Sequence, residues 1–127
     1  LETLKCFESL PAVLCHGDLS KKNVIVQDDG ELVLIDWDDA MAYNWMADIS
    51  RLTFWLKMNY SEQEYSLLRN AFLADYSGSR KDEFSVFERA FHVYVALDYL
   101  RFAHESQDRE IADFAERYIL ELTKSLH

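Results

Sequence analysis

The residues able to do chemistry lie in one stretch, from His16 to Asp38. It reads His16-Gly17-Asp18, then Asn23, then Ile35-Asp36-Trp37-Asp38. Between the two halves run Val24-Ile25-Val26, an Asp29-Gly30 pair and Leu32-Val33-Leu34-Ile35. Two β-branched runs around Asp-Gly are a strong hairpin signal. A tight antiparallel hairpin sets the start of its first strand, Asn23, beside the end of its second, Asp36. Asp18, on a loop leaving a short upstream strand, is expected to face the same end. An amide and two carboxylates meeting there make an oxygen-only ligand set. Such a set suits a hard cation like magnesium, which takes few protein ligands and completes its shell with water and phosphate oxygens. The histidines lack zinc-ligand spacing, which argues against a metal-dependent hydrolase built on the same Asp and His residues.

These groups need elements to hold them, and the chain changes character near Ala47, from short β-type segments to helical periodicity. Residues 2–9 read as the last turns of a helix, stopped before Pro11. Val13-Leu14 is a short apolar stub leading into Cys15-His16. The hairpin strands are apolar on both faces, which predicts that they are largely buried. Trp45, Ile49, Leu52 and Leu56 recur at helical spacing. Ser61 with Glu64 forms a capping box opening a helix through Tyr65, Leu68, Phe72 and Tyr76, and Gly78 sits where a C-terminal glycine belongs. Phe84, Phe87, Phe91, Tyr94, Val95 and Phe102 mark a third helix, and Ile111, Phe114, Ala115, Tyr118, Ile119 and Leu122 a fourth. The expected class is α+β, mostly α: a buried hairpin packed on about four helices. Trp37 and Trp45 read as core aromatics.

Composition bounds the function. At 127 residues and 15.0 kDa the chain is one compact domain or part of one. Half of it is apolar and 14% aromatic, which excludes intrinsic disorder. Thirteen Lys and Arg against 23 Asp and Glu give a charge of −10, which argues against a nucleic-acid partner. Cys6 and Cys15 show no metal or disulfide spacing and read as reduced thiols of a cytoplasmic protein. There is no signal peptide pattern, and no apolar run approaches the roughly 18 residues of a membrane span. The start at Leu1, without methionine, points to a fragment.

The paired motifs, His16-Gly17-Asp18 with Asn23, then Ile35-Asp36-Trp37-Asp38, resemble those of the aminoglycoside phosphotransferase and choline kinase-like family, whose fold is protein-kinase-like. The resemblance covers residues 1–127 as the carboxy-terminal lobe. It implies ATP-dependent transfer of a γ-phosphoryl group, with magnesium, to an acceptor hydroxyl on an aminoglycoside-like or choline-like compound. By that resemblance Asp18 is the catalytic acid–base residue, while Asn23 and Asp36 hold the metal, with Asp38 as a further acid near it. His16 opens the catalytic loop in a supporting role. Asp48 matches an aspartate that braces this loop; by itself it reads as a helix N-terminal acid. Asp98 falls on the third helix's apolar stripe, between Tyr94 and Phe102. It is a substrate-binding candidate for a cationic acceptor, or else an acid hydrogen-bonded between packed helices. Lys21-Lys22 departs from the small spacer usual in such enzymes and reads as a solvated loop or a contact to the transferred phosphate.

The amino-terminal lobe of a kinase fold, with its glycine-rich loop and phosphate-pairing lysine, has no counterpart in residues 1–15. The isolated chain is therefore expected to bind nucleotide weakly and turn over negligibly. The alternative reading is a truncated pseudoenzyme or protein-binding module that self-associates through the exposed face of the lobe.

Overall fold

The computed structural model describes residues 2–76 and 80–124, so Gly78 lies outside the described residues. The order is α1 (Glu2–Lys5), β1 (Val13–Cys15), β2 (Val24–Val26), β3 (Leu32–Leu34), β4 (Met41–Tyr43), α2 (Met46–Asn59), α3 (Glu62–Tyr76), α4 (Lys81–Ser106) and α5 (Arg109–Lys124). A 3₁₀ turn, Lys21–Asn23, leads into β2. The chain is thus mostly helical α+β, with two small sheets.

Each sheet is a single antiparallel pair. β2 and β3 form the expected hairpin, Val24 opposite Leu34 and Val26 opposite Leu32. Gly30 carries φ +86 at its turn, a conformation that only glycine adopts freely. The second pair, β1 with β4, sets Cys15 opposite Met41. Met41-Ala42-Tyr43 lacks the β-branched run that marks a strand, so the sequence gives no sign of it; it is a strand because β1 lies there to pair with. This pairing decides the site: the loops following β1 and preceding β4 must run side by side.

The helices form for local reasons. Asn44 Oδ1 accepts the Met46 amide at 3.0 Å and starts α2. The Ser61–Glu64 capping box closes both ways, Glu64 N on Ser61 Oγ at 3.2 Å and Ser61 N on Glu64 Oε2 at 3.1 Å. α4 ends at Gln107, which takes the left-handed φ of 59, and Asp108 Oδ1 caps α5 through the Ile111 amide. α4 is the spine. Phe84, Phe87, Phe91, Val95 and Ala96 from it join Met46, Ile49 and Phe54 of α2 and Tyr118 and Leu122 of α5 in one core.

Three expectations change. The hairpin is not buried: Ile25, Val26 and Leu32 are 47%, 67% and 65% exposed. The helices bury their apolar faces against one another, and both faces of these three-residue strands remain largely open. Trp37 is exposed rather than a core aromatic, whereas Trp45 stacks on Phe84. The Tyr94–Asp98–Phe102 row of α4 is also outside, with Tyr94 and Phe102 well exposed, because the core side of that segment belongs to Val95, Ala96 and Ala103.

Candidate functional site

Asp48, in the first turn of α2, grips the loop after β1. Its Oδ2 accepts the His16 amide at 2.6 Å and its Oδ1 accepts the Gly17 amide at 3.0 Å. Hydrogen bonds to an ionised acceptor are about twice as strong as neutral ones, so one carboxylate fixes two consecutive peptides. The side chain is therefore more than an acid at a helix end. His16, 1% exposed, ties the two motif halves together. Its Nδ1 accepts the Asp18 amide at 3.1 Å, so its proton sits on Nε2, which donates to the Ile35 carbonyl at 2.7 Å. The imidazole packs against Trp37 with ring centroids 4.7 Å apart and the planes tilted by 54°, and the Trp37 indole donates to the Leu34 carbonyl.

Gly17 makes the close approach possible. It holds φ +87, and a Cβ there would lie 2.1 Å from the Asp39 carbonyl oxygen. The backbone of the Asp36–Asp39 segment therefore runs against the backbone of the His16–Asp18 loop. Asp36 itself takes φ 60, in the left-handed region where a non-glycine residue carries strain.

Asn23 connects the remaining parts. Its Nδ2 donates to the Asp18 carbonyl at 2.8 Å and to Asp18 Oδ2 at 3.2 Å. The Asn23 carbonyl accepts the Ile35 amide at 3.0 Å, extending the ladder so that Asp36 follows directly beside Asn23. Lys22, on an exposed side chain, sets its Nζ 3.4 Å from Asp18 Oδ2.

An amide oxygen and the Asp36 carboxylate at one hairpin end match magnesium, which binds through one or two protein oxygens and keeps waters and substrate phosphates. Asp38 is exposed and two residues beyond. Among the described residues no three His, Cys, Asp or Glu side chains gather to hold a metal by themselves. Asn23 and Asp36 are thus the residues here that could hold a hard cation such as magnesium, which would supply charge neutralisation if bound. Asp98 is not brought to this cluster by any hydrogen bond; its carboxylate pairs with Arg101 at 3.3 Å on the exposed row of α4.

Sequence reasoning missed the wall opposite Asp18. A small hollow beside it is lined by Ser20, Arg51, Phe54, Trp55 and Tyr99 among others. Burial pushes the Tyr99 hydroxyl up, the Asp18 charge adds to that, and Lys22 and Arg51 work against it. An available signal was Arg51, a cation one turn after Asp48 on the same helix.

The chain is a mostly helical α+β unit in which Asn23 holds the Asp18 loop to the start of a short hairpin. The sequence model of the phosphotransferase enzyme family matches residues 2–91, most of the chain, and the chain belongs to that family. No curated protein and no solved structure matches it. No helix among the described residues is long and apolar enough to cross a membrane.

Proposed function

We propose that this chain is the carboxy-terminal, metal- and acceptor-binding lobe of an ATP-dependent small-molecule kinase with a protein-kinase-like fold. The observation carrying this reading is Asn23, whose side-chain amide donates to the Asp18 carbonyl and carboxylate while its backbone carbonyl accepts the Ile35 amide, one residue before Asp36. One residue thereby ties the group that would receive a proton to the strand end that carries Asp36.

In this reading Asp18 orients the acceptor hydroxyl and takes its proton as the oxygen attacks the γ-phosphorus. Positioning matters more than basicity here, because the proton moves late in a loose transition state. Asn23 Oδ1 and the Asp36 carboxylate would hold magnesium, with Asp38 outside them as a further acid. When bound, magnesium neutralises charge on the phosphates. His16 and Asp48 act on no reacting atom; they fix the peptides that carry Asp18.

The test is Asp18→Asn in the protein expressed from its complete coding sequence. General-base removal is expected to lower kcat about 10²–10⁴-fold with the KM for MgATP little changed. Turnover within a few-fold of wild type would sink the assignment. The exposed apolar hairpin, with Ile25, Val26 and Leu32 open to solvent, supports a second reading as a protein-binding module. That reading requires no phosphoryl transfer from the wild-type protein to any hydroxyl compound.

A further inference from the structure

Resting on the phosphotransferase reading above, we infer that Arg51 makes the acceptor subsite selective for a hydroxy compound bearing an anionic group, a carboxylate or phosphate, and not for a polycation. The hollow beside Asp18 is bounded by Asp18, Ser20, Arg51, Trp55 and Tyr99, and Asp18 is the single carboxylate among its lining residues. A polyamine or quaternary ammonium acceptor needs acids or an aromatic cage to replace its hydration. Here the charged wall is an arginine.

That arginine has no anion of its own. Arg69, Arg80 and Arg101 each hold a carboxylate, on Glu88, Glu83 and Asp98 respectively. Arg51 makes no ion pair among the described residues; its guanidinium lies over the Phe91 ring at 5.7 Å. Arg51 is a half-buried residue, and a guanidinium supported on one face by an aromatic can still turn N–H groups toward an anionic oxygen. A second unmet group stands in the same wall. The Ser20 hydroxyl, in a residue 5% exposed, is buried and without a hydrogen-bond partner among the described residues.

The hollow's volume, about 10 Å³, is that of a single water-sized group, so it admits one oxygen of an acceptor's anionic group and leaves the rest of the acceptor outside. The donor phosphates are a second possible source of negative charge. Against them, neither Asn23 nor Asp36 lines this hollow, which opens between the Asp18 loop and the flanks of α2 and α4. The metal side of Asp18 and the Arg51 side are different sides. Asp98, the acid that a cationic acceptor would use, is already paired with Arg101.

The experiment measures ATP consumption by the protein from its complete coding sequence with three hydroxyl probes at equal concentration: gluconate, choline and kanamycin. Gluconate is expected to be used, and the others not. Arg51→Gln should then raise the KM for gluconate at least 30-fold with the KM for MgATP changed less than twofold. Arg51→Lys should recover part of that loss, which a folding defect would not do. Preference for choline or kanamycin, or an unchanged gluconate KM in Arg51→Gln, overturns the inference and leaves the phosphotransferase reading standing. A rise confined to the MgATP KM assigns Arg51 to the donor and overturns it too. Absence of Asp18-dependent transfer to any probe removes the phosphotransferase reading and the inference with it.

Discussion

Replacing Gly17 by alanine tests how closely the two motif loops must approach. Gly30 supplies the control, because it has nearly the same positive φ, +86 against +87. Placing a side chain in the left-handed region costs roughly 1–2 kcal/mol at either position. At Gly30 a Cβ would meet nothing within 4 Å, so that is the whole effect. At Gly17 the Cβ would stand 2.1 Å from Asp39 O and 2.8 Å from the Asp39 carbonyl carbon. Both are backbone atoms and cannot rotate away, so the Asp36–Asp39 segment must retreat by about 1 Å to reach ordinary van der Waals contact. Overpacking of that kind adds roughly 1–3 kcal/mol. Gly17→Ala is therefore expected to destabilise by about 2–5 kcal/mol and Gly30→Ala by about 1–2 kcal/mol. Equilibrium urea unfolding of both variants, with unchanged slopes, reads the difference. The retreat carries Asp36 away from Asn23, and a misplacement of about 1 Å in a site can lower turnover around 100-fold. Equal destabilisation by the two substitutions, within about 0.5 kcal/mol, with turnover intact in Gly17→Ala, would refute the reasoning.

Asp48→Asn leaves one acceptor oxygen for two peptide amides, at His16 and Gly17. The expected loss is about 1.5–3 kcal/mol, one hydrogen bond to a charged group, with faster hydrogen exchange at these two amides than elsewhere in the chain. Unaltered protection at His16 and Gly17 would show that the carboxylate does not hold them. His92 gives a pH test. It is buried between Tyr118, which donates to Nδ1, and the Ser50 carbonyl, which accepts from Nε2–H, and burial lowers its pKa to about 3. Since the unfolded state binds the proton near 6.5 and the folded state does not, His92 withdraws stability as pH falls from about 6.5 toward 3. The slope is about 1.4 kcal/mol per pH unit. Glu88, raised by burial beside Arg69, has the opposite sign, gaining stability as pH falls. The measurement is therefore the difference between wild type and His92→Gln across this range, and parallel curves would refute the assignment.

How much of this could be read from the chain varies by kind of information. The helices were legible because their signals are local: the Ser61–Glu64 box, and the apolar spacing of Ile111 through Leu122 in α5. The hairpin was legible for the same reason, since Asp29-Gly30 and its flanking runs decide the turn. Its burial was misjudged, because apolar residues on both faces state a preference and not what stands nearby to cover them. The Tyr94–Asp98–Phe102 row fails as a core face by the same logic; i, i+4 spacing marks a helix face but not where the neighbouring helices end.

For the site, the sequence by itself determined the residue types, their spacing, and through the hairpin the adjacency of Asn23 and Asp36. Those follow from strand geometry, which acts over a few residues. Only the tertiary structure decided that Asp48 holds the His16 and Gly17 peptides, that His16 bonds the Ile35 carbonyl, and that Arg51 and Tyr99 stand beside Asp18. Each of these joins positions 19 to 81 residues apart in the chain. Such contacts depend on the β1–β4 pairing and on the packing of α2 against α4, and no local periodicity encodes which flank of a helix will meet which loop.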